Sequence, residues 1–318
     1  MFADWLLPLA LAAGAPATGT ATLALTDVDP APGDATETLG IDRDRHERMT
    51  VPVTIGGEGP FRFMIDTGSQ STVVTQRVTE RLDLPSGGRA IVVGMASSEW
   101  ADLVELDDMR VGTRVFDGLT APVLDAHNVG ADGIVGLDSL QGLRVLIDFK
   151  EGEMQVADAD TSPSLRGYEI VVKARGKLGQ LIITNAVIDG VRAAVIIDTG
   201  AQGSMGNLAL RRKIRARQSY EVTSTDVHGM QIAGNLTVAK SVKIQDLDLS
   251  NIPITYADAP AFAALGLADR PALTLGMDHL RLFDRVAIDF DKRRILFDLP
   301  NGKLRQGTAQ FPGDASRL

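Results

Sequence analysis

The chain of 318 residues contains no cysteine. That excludes disulfides, thiolate metal sites, a cysteine nucleophile and a lipid anchor on an amino-terminal cysteine. Histidine is almost as scarce. His46, His127, His228 and His279 are scattered, with none of the spacings that metal ligands take, and each reads as a surface or capping residue. Aromatic residues make up 5% of the chain, too few for a groove that stacks nucleic-acid bases. A net charge of −9 leaves no basic surface for nucleic acid or anionic lipid. The apolar run Trp5 to Ala13 is too short to span a bilayer. What remains, 44% hydrophobic and 23% charged, is the composition of a folded globular protein, at a length that holds two domains of roughly 100–150 residues.

One stretch occurs twice. Met64-Ile65-Asp66-Thr67-Gly68-Ser69 returns as Ile196-Ile197-Asp198-Thr199-Gly200-Ala201. Each copy ends an apolar, β-favouring run (Phe61 to Ile65, Ala193 to Ile197) that reads as a buried strand. An Asp at the exit of such a strand is costly unless its carboxylate is hydrogen-bonded or its shifted pKa is used. Behind each copy stands a second motif, Gly133-Ile134-Val135-Gly136-Leu137-Asp138 and Leu273-Thr274-Leu275-Gly276-Met277-Asp278. A third follows, Val145-Leu146-Ile147-Asp148-Phe149 and Val286-Ala287-Ile288-Asp289-Phe290. Asp198 lies 132 residues after Asp66, Gly276 lies 140 after Gly136 and Asp289 lies 141 after Asp148. Landmarks in one order with one insertion describe a duplication, not a solenoid.

Taken in order, residues 1–17 read as a secretory signal, an apolar core followed by small residues, although Asp4 stands where Lys or Arg is usual; the alternative is a packed or disordered start. Export makes the mature chain periplasmic or secreted, with no stable membrane anchor once the signal is removed. Residues 18–37 are a linker, 38–157 the first lobe, 158–167 a linker, 168–300 the second lobe and 301–318 a polar tail. Met49 to Ile55 and Phe61 to Ile65 form a hairpin that delivers Asp66 into a loop, and Val73 to Leu84 has helical spacing. Gly94-Met95 reads as a mobile hairpin tip with Trp100 on the returning arm, and Gly229-Met230 as its counterpart, both candidates for a flap over substrate. Asp138 and Asp278 read as helix caps, and Asp148 and Asp289 as paired or exposed strand residues. The basic segment Leu208 to Arg217 reads as a solvated face.

These motifs resemble those of aspartic peptidases of the retropepsin and pepsin type, and the short repeats look most like bacterial retropepsin-like proteins. The resemblance runs from about Thr38 to Leu299, with Thr274 a departure where two apolar residues are usual. It implies an all-β, bilobal acid-protease fold: two retropepsin-like β-barrel lobes with the active site at their interface, a monomer acting as an internal pseudo-dimer. It also implies that Asp66 and Asp198 form a catalytic pair on an extended polypeptide, with no metal and no cofactor. Two carboxyls held about 3 Å apart share one proton, which lets one act as base and the other as acid. On the same resemblance Thr67 and Thr199 brace the two loops. Gly68 and Gly200 let backbone approach the carboxylates, with freedom to take positive φ.

Ser69 offers a hydroxyl for the outer oxygen of Asp66, and Ala201 offers Asp198 none, which predicts a less acidic optimum than in a site with two hydroxyls. The alternative activity is a peptide-binding protein that keeps the cleft and lacks turnover. A further alternative pairs each repeat with its twin in another molecule.

Overall fold

The computed structural model describes residues 2–5, 36–40, 42–43, 49–158, 168, 170–177, 179–215 and 218–300. Most of the expected signal and linker, the 158–167 boundary apart from Asp158, and the 301–318 tail lie outside the described residues.

The molecule is built mainly of strands in three sheets, the first two curled into half-barrels. In the first half, Met49–Ile55 and Glu58–Ile65 pair as the expected hairpin. Phe61, Phe63 and Ile65 are buried on one face with Arg62 exposed on the other, and at the strand's end Met64 is buried as well, so both faces are covered where the strand delivers Asp66. Gly133–Val135 then lies parallel to the end of that hairpin, Val135 opposite Ile65. The second half repeats the arrangement, with Ala272–Leu275 parallel to Val191–Ile197 and Leu275 opposite Ile197. This pairing is why the two sequence motifs recur together. Asp66 N–H donates to Val135 O at 3.1 Å and Asp198 N–H to Leu275 O at 3.1 Å, so each second-motif strand carries an Asp loop on its end. Gly136 and Gly276 are required there by contact. A Cβ on the first would run into the Ser71 backbone, and one on the second into the Gly203 carbonyl.

The third sheet belongs to both halves. Its order is Ile170–Lys173, Arg294–Asp298, Arg285–Asp289, Leu143–Asp148, Glu153–Asp158, Thr36–Gly40. The two Ile-Asp-Phe strands pair antiparallel at its centre, placing Arg144 opposite Asp289 and Asp148 opposite Arg285. Arg144 Nη2 donates to the fully buried Asp289 at 2.8 Å, and Arg294 Nη2 to the same oxygen at 3.0 Å. Asp289 is therefore a paired strand residue, as its place in the repeat suggested. Asp148, its counterpart, accepts from the Lys150 and Glu151 N–H groups.

Two local expectations change. Val73 to Leu84 is not one helix: Val73–Thr75 is a strand beside Gly133–Val135, and the helix is Gln76–Leu82. The β-branched Val73, Val74 and Thr75 take the sheet because each is fully buried there, overriding the helical spacing. Asp138 is not the capping residue. Gly136 occupies that position, and the Asp138 carboxylate accepts from the Thr72 N–H and hydroxyl instead. In the basic segment the helix is Leu208–Arg211, and Arg212, Lys213 and Arg215 are exposed as expected of a solvated face.

Candidate active site

Asp66 and Asp198 are carried to one point from opposite halves of the same chain. Both are completely buried. Asp66 Oδ1 accepts from the Gly68 and Ser69 N–H groups at 2.7 and 3.0 Å. Asp198 Oδ1 accepts from those of Gly200 and Ala201 at 3.1 and 3.0 Å. Each loop thus grips one oxygen, Oδ1, of its own carboxylate. Burial pushes the Asp198 carboxyl up to about 7, against the hydrogen bonds from Ala201, Gly200 and the Asp66 carboxyl. Neighbouring carboxyls titrate as a pair, and burial favours the form of that pair that keeps a proton.

The loops are tied to each other by a reciprocal exchange. The Thr67 N–H donates to Thr199 Oγ1 at 3.1 Å and the Thr199 N–H to Thr67 Oγ1 at 3.2 Å. Each hydroxyl then donates across the interface, Thr67 to Ile197 O at 2.9 Å and Thr199 to Ile65 O at 2.7 Å. All four bonds are buried and cross between the halves. At about 1 kcal/mol net for each, they are a substantial share of what fixes the two carboxyls relative to one another.

The glycines allow the expected close approach to a carboxylate, but not through the expected positive φ. Neither Gly68 nor Gly200 has positive φ. Each instead lies against the other half's aspartate. A Cβ on Gly68 would sit 2.6 Å from Asp198 Cγ, and one on Gly200 would overlap the Asp66 carboxyl group. The Asp-Thr-Gly triplet is therefore a crossed constraint, in which the glycine of one copy makes room for the aspartate of the other.

Ser69 departs from its expected role. Its N–H grips Asp66, but its hydroxyl donates to Ser71 O at 2.8 Å and not to the carboxylate. The difference between Ser69 and Ala201 consequently leaves the aspartates alike in their bonds from the loop and gives no reason for a less acidic optimum.

Three supporting groups were not singled out in the sequence. Thr72 and Ser204, one in each half, accept from the Gly136 and Gly276 N–H groups at 3.2 and 3.1 Å, locking each Asp loop to the second motif. Their common 132-residue offset from one another was the available signal. Buried Gln180 donates to Gly68 O at 2.6 Å and has no counterpart motif that could have revealed it.

The hairpin Ser86–Val93 and Ser98–Leu106 has its tip at Gly94 to Ser97, as expected, with Met95 fully buried. Trp100, on the returning arm, is 61% exposed beneath the Arg89 guanidinium and is not brought to the dyad. In the second half the residues matching Gly94-Met95 are Asp226-Val227, at the same 132-residue offset as the aspartates, and not Gly229-Met230. Gly229 forms the turn that closes on Asp226 O, and the Met230 side chain points largely to solvent.

This geometry agrees with the one family relationship that was found. Residues 51–139 and 184–279, more than half of the chain, match the family described as aspartyl protease, and the chain belongs to that family. The two matched segments are the two repeats. No curated protein shows significant similarity to the chain.

Proposed function

We propose that the chain is an aspartic endopeptidase that hydrolyses an extended polypeptide at the Asp66–Asp198 pair. The observation that carries this is the convergence of two buried carboxyls, each held through Oδ1 by two N–H groups, inside one chain. In that arrangement the pair holds one proton between them. The ionised member takes a proton from a water molecule as its oxygen attacks the peptide carbonyl carbon, while the protonated member gives its proton to the carbonyl oxygen. The tetrahedral product then collapses. The C–N bond breaks as the protonated carboxyl gives its proton to the amine nitrogen, while the ionised carboxyl takes a proton from a hydroxyl on the tetrahedral carbon, so the carbonyl re-forms and the pair again holds one proton. Rigid loops matter more than strong bases here, because reacting atoms held within bonding distance remove much of the entropic barrier. Thr67, Thr199, Gly68 and Gly200 are positioning residues in this reading, and the protein acts as its own pseudo-dimer. The leader-like amino terminus supports a site of action outside the cytoplasm.

The test is cleavage of a diverse peptide mixture by the full chain from pH 3 to 8, beside Asp66→Asn and Asp198→Asn. The expected result is cutting by wild type and a loss of at least a hundredfold in both variants. Binding of peptides with no cutting at any pH would replace the enzyme with a peptide-binding protein. A loss in only one variant would replace the shared pair with a single-carboxyl site.

A further inference from the structure

The two hairpin tips exchange side chains. Met95, from the first half, is fully buried in an apolar cluster whose other members all come from the second half, among them Ile196, Ala201, Met205 and Phe262. Val227, from the second half, is 2% exposed in a cluster whose other members all come from the first, among them Met64 and Ile134. Both clusters flank the dyad. Ala201 donates its N–H to Asp198, and Met64 lies two residues before Asp66.

The tips are also bonded to one another, and one residue does most of this. Asp226 is 1% exposed. Its Oδ2 accepts from the Ala96 N–H at 3.1 Å and the Ser97 hydroxyl at 2.8 Å on the opposite tip, while its Oδ1 accepts from the His228 and Met230 N–H groups of its own. His228 Nε2 lies 3.2 Å from Val92 O across the same gap. Gly94 has no room for a side chain, since a Cβ would sit 2.6 Å from Asp226 Oδ2. With the tips in this position both aspartates of the dyad are completely buried.

We propose that Asp226 is the keeper of the closed tips, holding Met95 and Val227 in the opposite halves' clusters until a peptide displaces them. This rests on the protease reading and adds a latch to it. Opening exposes two apolar side chains and breaks the bonds from Ala96 and Ser97, so a ligand must offset that cost to bind. Peptide affinity is then reduced by the fraction of molecules that are closed.

The absence of cysteine makes a clean test available. Met95→Cys creates the sole thiol, and its alkylation by iodoacetamide reads tip opening without any need for catalysis. Alkylation is expected to be slow, to accelerate at least tenfold on adding Asp226→Ala, and to lie between with Asp226→Asn, which keeps an acceptor oxygen. Equal rates in all three would overturn the keeper role. Separately, Ser97→Cys with Asp226→Cys joins the tips on oxidation. Cleavage is expected to fall at least tenfold in the oxidised form and to return with reductant, and equal cleavage by both forms would count against closure. Accelerated alkylation in a chain that cuts nothing would uphold the latch and reject the protease reading, so the two failures are distinguishable.

Discussion

Gly200 packs face-on against the carboxyl group of Asp66, the aspartate of the opposite half, with no space between them for a methyl group. Gly68 stands in the same relation to Asp198. Gly200→Ala must therefore push the two halves apart at the point where their carboxyls meet. Displacement of a reacting group by about 1 Å can cost on the order of a hundredfold in rate, and a loss of that size in kcat is expected. Gly203 is a fair control in the same loop, because a Cβ there meets nothing within 4 Å. Comparable kcat loss in Gly203→Ala would mean that backbone freedom, not the crossed contact, is what the glycines supply.

The buried dyad links stability to pH. Burial pushes the Asp198 carboxyl up to about 7, so between its ordinary value of 3.8 and that point the folded chain holds a proton that the unfolded chain has released. Stability from this source is fully present below about pH 4 and declines as pH rises toward 7, by at most roughly 1.4 kcal/mol for each pH unit per proton. Asp198→Asn cannot ionise and should remove this decline, melting above wild type at pH 8. Thermal melts at pH 4, 5.5, 7 and 8 decide it, and parallel curves for the two proteins would sink the argument.

The duplicated strands, the dyad and the all-β class were readable from residues because they depend on local pattern and repetition. Asp66 and Asp198 each end an apolar run, and their shared contexts made the pair stand out from ordinary turn aspartates. What could not be read were relations between the halves. That Gly68 serves Asp198, that Met95 is buried among second-half residues, and that Asp226 answers Gly94 are facts of docking, and no one-dimensional spacing encodes a docking angle. The register of the second hairpin tip is hidden in the sequence for a related reason. Gly229-Met230 looks like Gly94-Met95 in composition, whereas the true counterpart at the constant offset, Asp226-Val227, shares neither residue type.

Ser69 gives its hydroxyl to Ser71 O, and this fixes an expectation for Ala201, its counterpart. A hydroxyl introduced by Ala201→Ser has the Gly203 carbonyl, the residue matching Ser71, as its analogous acceptor. It should therefore leave the pH profile of cleavage within about 0.2 units of wild type, since a group bonded elsewhere does not favour either form of Asp198. A shift of the profile toward lower pH would show the new hydroxyl on the carboxylate and restore the importance of the Ser/Ala difference.

Asp289 ties the halves together at the far side of the molecule, in the sheet they share. Burial opposes its charge, but the Lys292 N–H and the Arg144 and Arg294 guanidinium groups overcome it and hold the carboxyl below its ordinary value. The sign is opposite to that of Asp198: this stability is present above the ordinary carboxylate value of 3.8 and is lost as pH falls through the lowered one. Asp289→Asn keeps the shape and removes the charge, leaving two guanidinium groups, one of them buried, without their carboxylate. Breaking a buried pair from one side costs about 3–5 kcal/mol, and a loss toward the lower end is expected at pH 7, because Arg294 is partly exposed. Urea unfolding at pH 7 and in acid should show the gap narrowing as pH falls below 3.8, where the unfolded chain takes up the proton and wild type loses the stability of the charged pair. A gap that stays constant between the two would assign the loss to altered packing, and the charge pairing at the centre of the shared sheet would then not be what joins the two halves.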